Sequence, residues 1–193
     1  MPDKFLTMTT VLRVNMNDID EKLLRQWKAM YGSSMVELRI LGDSNEEEPL
    51  TETEFWAVID AFDWAQDAEE DILKPAQDHL ATLSAEKIQQ FQDMLAYKLW
   101  QLDGQAFAAT LMEQDGHLSV DDFLYVRCAV VADGKETFEN VLQHPEKMPI
   151  EYTFEGLLYL AENAYEQKTG EEMDSLPKYN YETYKNREAW GKE

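Results

Sequence analysis

The chain has a single cysteine, Cys128, among 193 residues. No disulfide can close within it, and no cysteine-built zinc site can form. Mean hydropathy is −0.53, and no apolar run approaches the ~20 residues needed to cross a bilayer. The opening Met-Pro-Asp-Lys-Phe-Leu-Thr lacks the basic-then-apolar build of a secretory signal. Positive charge is scarce: 17 Lys and Arg face 39 Asp and Glu, a net charge of −22. Direct binding to a phosphate backbone needs a basic footprint, which is missing. There is no Gly-rich phosphate loop, no Gly-x-Ser-x-Gly elbow and no His-Glu-x-x-His, and His79, His117 and His144 show no helical pairing. The expectation is a soluble, cytoplasmic protein with no cofactor or metal, no direct nucleic-acid binding, no membrane association and no marked enzyme signature.

The chain is well supplied with core material. Hydrophobic residues make up 44% and aromatics 11%, including 5 Trp, which a disordered tail does not carry. Charge is unevenly spread. Residues 43–73 hold twelve acids and no Lys or Arg, whereas residues 1–42 are close to neutral.

Periodicity predicts a mainly α protein, a multi-helix domain with a small N-terminal β-α-β unit. Residues 9–16 are β-branched and apolar, and residues 35–41 alternate as a strand does. Between them, after Asp18 and Asp20, Leu23, Leu24, Trp27 and Met30 recur at helical spacing. Two strands alone leave exposed edges, so they need the rest of the chain or a second copy, which would make a homodimer through the N-terminal strands. The expected division is a β-α-β unit at 1–42, an acidic linker at 43–50, a helical domain at 51–172 and an aromatic C-terminal tail at 173–193. Thr51 and Glu54 spell a capping box. It opens a first long helix with an apolar face of Phe55, Val58, Ile59, Phe62 and Ala65, and Pro75 begins the next segment. Ser84 caps a central helix bearing Ile88, Phe91, Leu95, Leu99 and Leu102.

From Phe55-Trp56 and Ile59, through Leu80, Leu83, Ile88, Phe91 and Ala96-Tyr97, the chain resembles a bacterial family of unknown function, number 4240 in the domain-of-unknown-function series. The sharpest part runs from Ser119 to Arg127, followed by Gly134-Lys135, Phe138 and Pro145. Val120 stands where that family usually has an acid, Ala129 where it has Trp and Asp133 where it has Gln. The resemblance covers residues 54–170 and implies a helical domain; it carries no reaction. Residues 9–41 resemble the small β-α-β segments of some bacterial antitoxins.

Two groups of residues carry functional expectations. Asp60, Asp63, Asp67, Glu70 and Asp71 follow at spacings that put them on one face of the first long helix. Trp56 projects into the same sector and Trp64 lies at its edge. The stripe is either a solvated face or a docking surface, where Trp anchors and acids meet a basic partner. Arg127, with Asp121 and Tyr125, lies in an otherwise apolar run. Either it forms a structural ion pair with Asp103, Asp121 or another acid, or it is an anion-binding group in a pocket. The stretch 113–123 resembles half of a calcium-binding loop, but position one would fall on Leu111, which offers no oxygen, so a turn and a capped helix are expected.

The leading expectation is an acidic protein-binding module, an immunity or antitoxin-type inhibitor of a basic protein partner. The alternatives are an enzyme or small-ligand sensor with a pocket around Asp121, Tyr125 and Arg127, and a structural oligomer.

Overall fold

The computed structural model describes residues 19–32 and 48–191. The chain divides into two compact units, residues 1–46 and 47–193. The first is described through one helix, α1 (Glu21–Tyr31). Asp20 caps it, its carboxylate accepting the Leu23 N–H at 2.7 Å. Arg25 pairs with Glu21 one turn away at 3.2 Å.

The expected fold class is corrected at this point. Among the described residues all regular structure is helical, and no β-α-β unit is seen. A crossover helix buries its apolar stripe on the strands it connects. By contrast α1 buries none of its residues, and Leu24 and Met30 are exposed. The strands expected over 9–16 and 35–41 lie outside the described residues, as do residues 43–47 of the acidic linker and any dimer pairing through those strands.

The second unit opens on α2 (Glu52–Ile59). The capping box is formed in full: the Thr51 hydroxyl accepts the Glu54 N–H at 3.1 Å, and the Glu54 carboxylate accepts the Thr51 N–H at 2.7 Å. Half of this eight-residue helix is buried, namely Phe55, Trp56, Val58 and Ile59. So short a helix is held by packing rather than by propensity. It stops at Ile59 with Asp60 as its C-cap, so the first long helix expected through Asp71 is in fact two helices and a loop. The second, α3 (Glu69–Thr82), has no side-chain cap at Ala68. Glu69, Glu70 and Asp71 fill its first turn, where negative charge complements the helix dipole. Pro75, expected to begin this helix, instead lies inside it on the exposed side.

The centre of the unit is α4 (Ala85–Gln101), entered through Ser84, whose hydroxyl accepts the Lys87 N–H at 3.2 Å. Ile88, Phe91, Leu95, Leu99 and the following Leu102 are all buried, as their spacing predicts. Then come α5 (Gln105–Asp115) and α6 (Val120–Ala132). Gly116, at a left-handed φ of 72°, ends α5. Ser119 caps α6 by accepting the Asp122 N–H at 3.3 Å. The stretch resembling half a calcium loop is therefore a turn and a capped helix. After α7 (Lys135–Gln143), two short 3-10 turns, Pro145–Lys147 and Glu155–Tyr159, lead into α8 (Leu160–Thr169).

Helix α4 packs on α6 and α8, and α3 lies along α8. One aromatic cluster ties α2 to this centre. Phe55 stacks on Phe91 with centroids 4.8 Å apart, and Trp56 sits between Phe55 at 5.0 Å and Phe138 of α7 at 5.6 Å. The segment after α8 returns to the body and buries Thr183, Asn186 and Trp190.

Candidate functional site

Two of the acids at the start of the second unit are balanced internally. On α2, Glu52 binds Lys98 at 2.8 Å and Glu54 binds Lys87 at 2.6 Å, both lysines coming from α4. The Lys87 ammonium, followed by the Thr51 N–H and hydroxyl, holds the Glu54 carboxyl down to about 2. The Lys98 ammonium likewise lowers Glu52. Lys98 is itself almost wholly buried, its Nζ 4.6 Å from the Trp56 ring centre, 4.9 Å from Phe138 and 5.3 Å from Phe55. These contacts staple α2 to α4 and leave Trp56 4% exposed, with its indole N–H donated to Glu52 at 3.3 Å. Trp56, placed by its sequence position on the acidic face, is corrected to a core residue.

The loop between α2 and α3 carries what remains. Asp60 caps α2 on the side where Gly134 begins α7, a Cβ at Gly134 falling 3.9 Å from Asp60 Oδ1. Asp63 folds the loop onto itself, accepting the Ala65 N–H at 3.2 Å and the Gln66 side-chain amide at 2.8 Å, while its own N–H donates to Ile72 O at 3.0 Å. Trp64 is 55% exposed. Its ring rests on Phe154 at 5.3 Å and meets Phe62 edge-on at 5.8 Å. Behind it Glu69 accepts the Gly156 N–H at 2.8 Å, and the helix and the turn approach so closely that a Cβ on Gly156 would lie 2.8 Å from Glu69 Oε2 and from Leu73 Cδ1. Asp67, Glu70 and Asp71 are exposed and form no ion pair among the described residues. Of the seven residues expected to meet a partner, Trp64 and Asp67 are thus exposed on the loop, and Glu70 and Asp71 on the first turn of α3. Asp60 is also exposed, at the C-cap of α2, and Asp63 mainly shapes the loop backbone.

The pocket expected around Asp121, Tyr125 and Arg127 is not assembled. Asp121 is exposed in the first turn of α6, and Tyr125 is half-buried beside Glu155, with burial and then that carboxylate raising its hydroxyl above the ordinary value. Arg127 is fully buried in filled core. Its guanidinium donates to Leu99 O and Tyr181 O at 2.9 Å, to Thr183 Oγ1 at 3.0 Å and to Phe123 O at 3.3 Å. Burial lowers its pKa to about 10, opposed by the nearby Asp103, so it stays charged at neutral pH. The expected ion pair is corrected: three carbonyls and a hydroxyl, rather than a carboxylate, take its hydrogen bonds.

Sequence reading gave Asp103 no role beyond a possible partner for Arg127, yet it is the most heavily engaged acid. It is wholly buried and accepts the N–H groups of Tyr184 (3.0 Å), Lys185 (2.7 Å) and Asn186 (2.8 Å) and the indole N–H of Trp190 (2.8 Å). The only hint in the sequence is an Asp-Gly pair directly after the apolar run of α4. Among the described residues no group of His, Cys, Asp and Glu could hold a metal ion, and no helix is long and apolar enough to cross a membrane.

A family model described as Protein of unknown function (DUF4240) matches residues 50–167. No curated protein and no solved structure matches the chain. The family segment covers α2 through most of α8 and stops short of the residues that Asp103 binds.

Proposed function

We propose, from the premise that the chain belongs to the family described as Protein of unknown function (DUF4240), that it is a cytoplasmic bacterial binding module for a basic protein, of the immunity or antitoxin type. What supports this reading is the outward group on the α2–α3 loop. Trp64 is a large apolar surface left 55% open on a firm aromatic bed, and the exposed carboxylates of Asp67, Glu70 and Asp71 follow it within seven residues, without ion pairs among the described residues. Exposed Trp residues held rigid cost little entropy on binding and are common interface anchors. The acids would steer a cationic partner into contact, and the indole would then be buried against it. Asp67, Glu70 and Asp71 would act on the association rate and Trp64 on the residence time.

The test is a photoreactive amino acid at the exposed Ala65, used to trap the partner in host cells, with binding to the purified partner then measured. Trp64→Ala should weaken binding about thirtyfold or more. Replacing Asp67, Glu70 and Asp71 by amides should slow association about tenfold, with the loss vanishing as salt rises from about 0.1 M to about 1 M. A trapped partner whose binding ignores both salt and these substitutions would refute the proposal.

A further inference from the structure

Helices α4 and α5 meet at Asp103 and Gly104, where two helix ends leave backbone groups open. Gly104 has no side chain to cap α5. Both ends are closed by the segment 181–190, which lies outside the family match. Ala189 O accepts the Gln105 N–H at 3.1 Å, and the Asn186 amide donates to Trp100 O at 3.1 Å. Gly104 is needed for this approach, since a Cβ there would come within 2.9 Å of Ala189 Cβ. On the α6 side, the Thr183 hydroxyl donates to Val120 O at 2.7 Å while accepting from Arg127. At the centre Tyr184 takes a left-handed φ of 72°, and the N–H groups of residues 184, 185 and 186 converge on the Asp103 carboxylate. Successive N–H groups so turned form a concave anion nest. A left-handed Tyr is strained, so the buried carboxylate holds the turn in place. Trp190 completes the seat, with its N–H on Asp103 and its ring edge-on to Phe123 at 6.0 Å and against Tyr184 at 4.5 Å.

The connection from α8 contrasts with this. Glu171, Glu172, Asp174 and Leu176 are exposed, Leu176 at 95%. The segment touches α4 mainly at its exposed surface, where the Lys178 N–H and ammonium both bind the Asp93 carboxylate, at 2.9 and 2.7 Å, and Tyr179 packs on Tyr97 and Trp100. The buried anchoring contacts are therefore concentrated within ten residues, 181–190.

We propose that the cleft between the α4–α5 junction and α6, floored by Asp103 and Arg127, is a peptide-binding site occupied in cis by residues 181–190. Its ligand class is a peptide that offers a Thr hydroxyl, three consecutive backbone N–H groups in a left-handed turn and an indole N–H. Mass action then controls the site. A detached segment stays bound, and a second peptide of the same chemistry competes with it. This proposal is independent of the docking role of Trp64.

The experiment uses the full chain with a site-specific protease sequence inserted after Leu176, folded intact and then cut. The cut segment should co-elute with the body on size exclusion. An excess of fluorescent synthetic peptide of residues 177–193 should replace it, raising anisotropy in the protein fraction. The same peptide with Trp190→Phe, which keeps a ring and loses the N–H to a buried carboxylate, should bind about ten- to a hundredfold more weakly. Thr183→Val in the peptide should also weaken it, and both changes leave the body untouched. A cut segment that elutes apart from the body would overturn the proposal. So would a peptide that binds equally well without the indole N–H and the Thr hydroxyl.

Discussion

Asp103→Asn removes one oxygen and the negative charge from a site with four donors. In the native arrangement Oδ1 takes the Tyr184 N–H and the Trp190 indole, and Oδ2 takes the N–H groups of Lys185 and Asn186. Whichever oxygen becomes the amide nitrogen, two donors are left facing two N–H groups. Each lost hydrogen bond to a buried charge is worth about 1.5–3 kcal/mol. The fully buried Arg127 also loses its neighbouring counter-charge, and breaking such an arrangement typically costs about 3–5 kcal/mol. The two estimates describe overlapping losses, so about 3–5 kcal/mol is expected for the substitution as a whole. Domains carry about 5–15 kcal/mol in all, so the variant should fold but weakly. With a urea m-value of about 2 kcal/mol/M, the unfolding midpoint should fall by about 2 M, followed by circular dichroism at 222 nm. Asp67→Asn, on the exposed loop, should stay within about 0.5 kcal/mol of the native protein. An Asp103→Asn midpoint within experimental error of the Asp67→Asn control would show that the segment 181–190 does not depend on the buried carboxylate.

The remaining predictions concern other parts of the unit. The Glu54 carboxyl is lowered from 4.5 to about 2 by Lys87 and Thr51, so the stability it contributes is complete above about pH 4.5 and is lost as pH falls toward 2. Lys87→Met should flatten that part of the acid limb in denaturation curves taken from pH 5 down to 2. Thr51→Ala should cost about 1 kcal/mol through loss of the cap, read as a lower urea midpoint. Burial pushes the Cys128 thiol up to about 12, so a thiol reagent at pH 8 should leave the native protein unmodified and label it fully in denaturant; rapid native labelling would contradict the packing around α6. Gly156→Ala should cost about 1–3 kcal/mol, because Glu69 and Leu73 must give way, and the emission of Trp64 should change as its bed on Phe154 shifts.

Helices that carry their own signals were legible. Ile88, Phe91, Leu95 and Leu99 repeat along α4 because a central helix must bury a stripe. Thr51, Ser84 and Ser119 mark real helix starts because capping is local hydrogen-bond chemistry. The acidic stripe misled because spacings of three and four imply one face only while the helix continues. Here α2 ends at Asp60, and its eight residues bury four side chains that dictate where the chain must turn. Trp56 went inward because Lys98 closes over it, a pairing across 42 positions that periodicity does not register. The β-α-β expectation relied on β-branched runs on either side of α1, and β-propensity reflects fit to a neighbouring strand more than a backbone preference.

Composition and local pattern alone determined that the chain is acidic, lacks a disulfide, and folds around α4 with capped helices on either side, because each of these follows from residue identity or from contacts within about four positions. Tertiary structure decided which charges are spent inside and which stay outward. Lys98 and Lys87 reach Glu52 and Glu54 across the α2–α4 contact, and Asp103 and Arg127 disappear beneath a segment some eighty and fifty residues further along the chain. Partners that distant are chosen by how helices pack and where their open ends fall, and buried charges are stable only where the packing brings them enough hydrogen bonds.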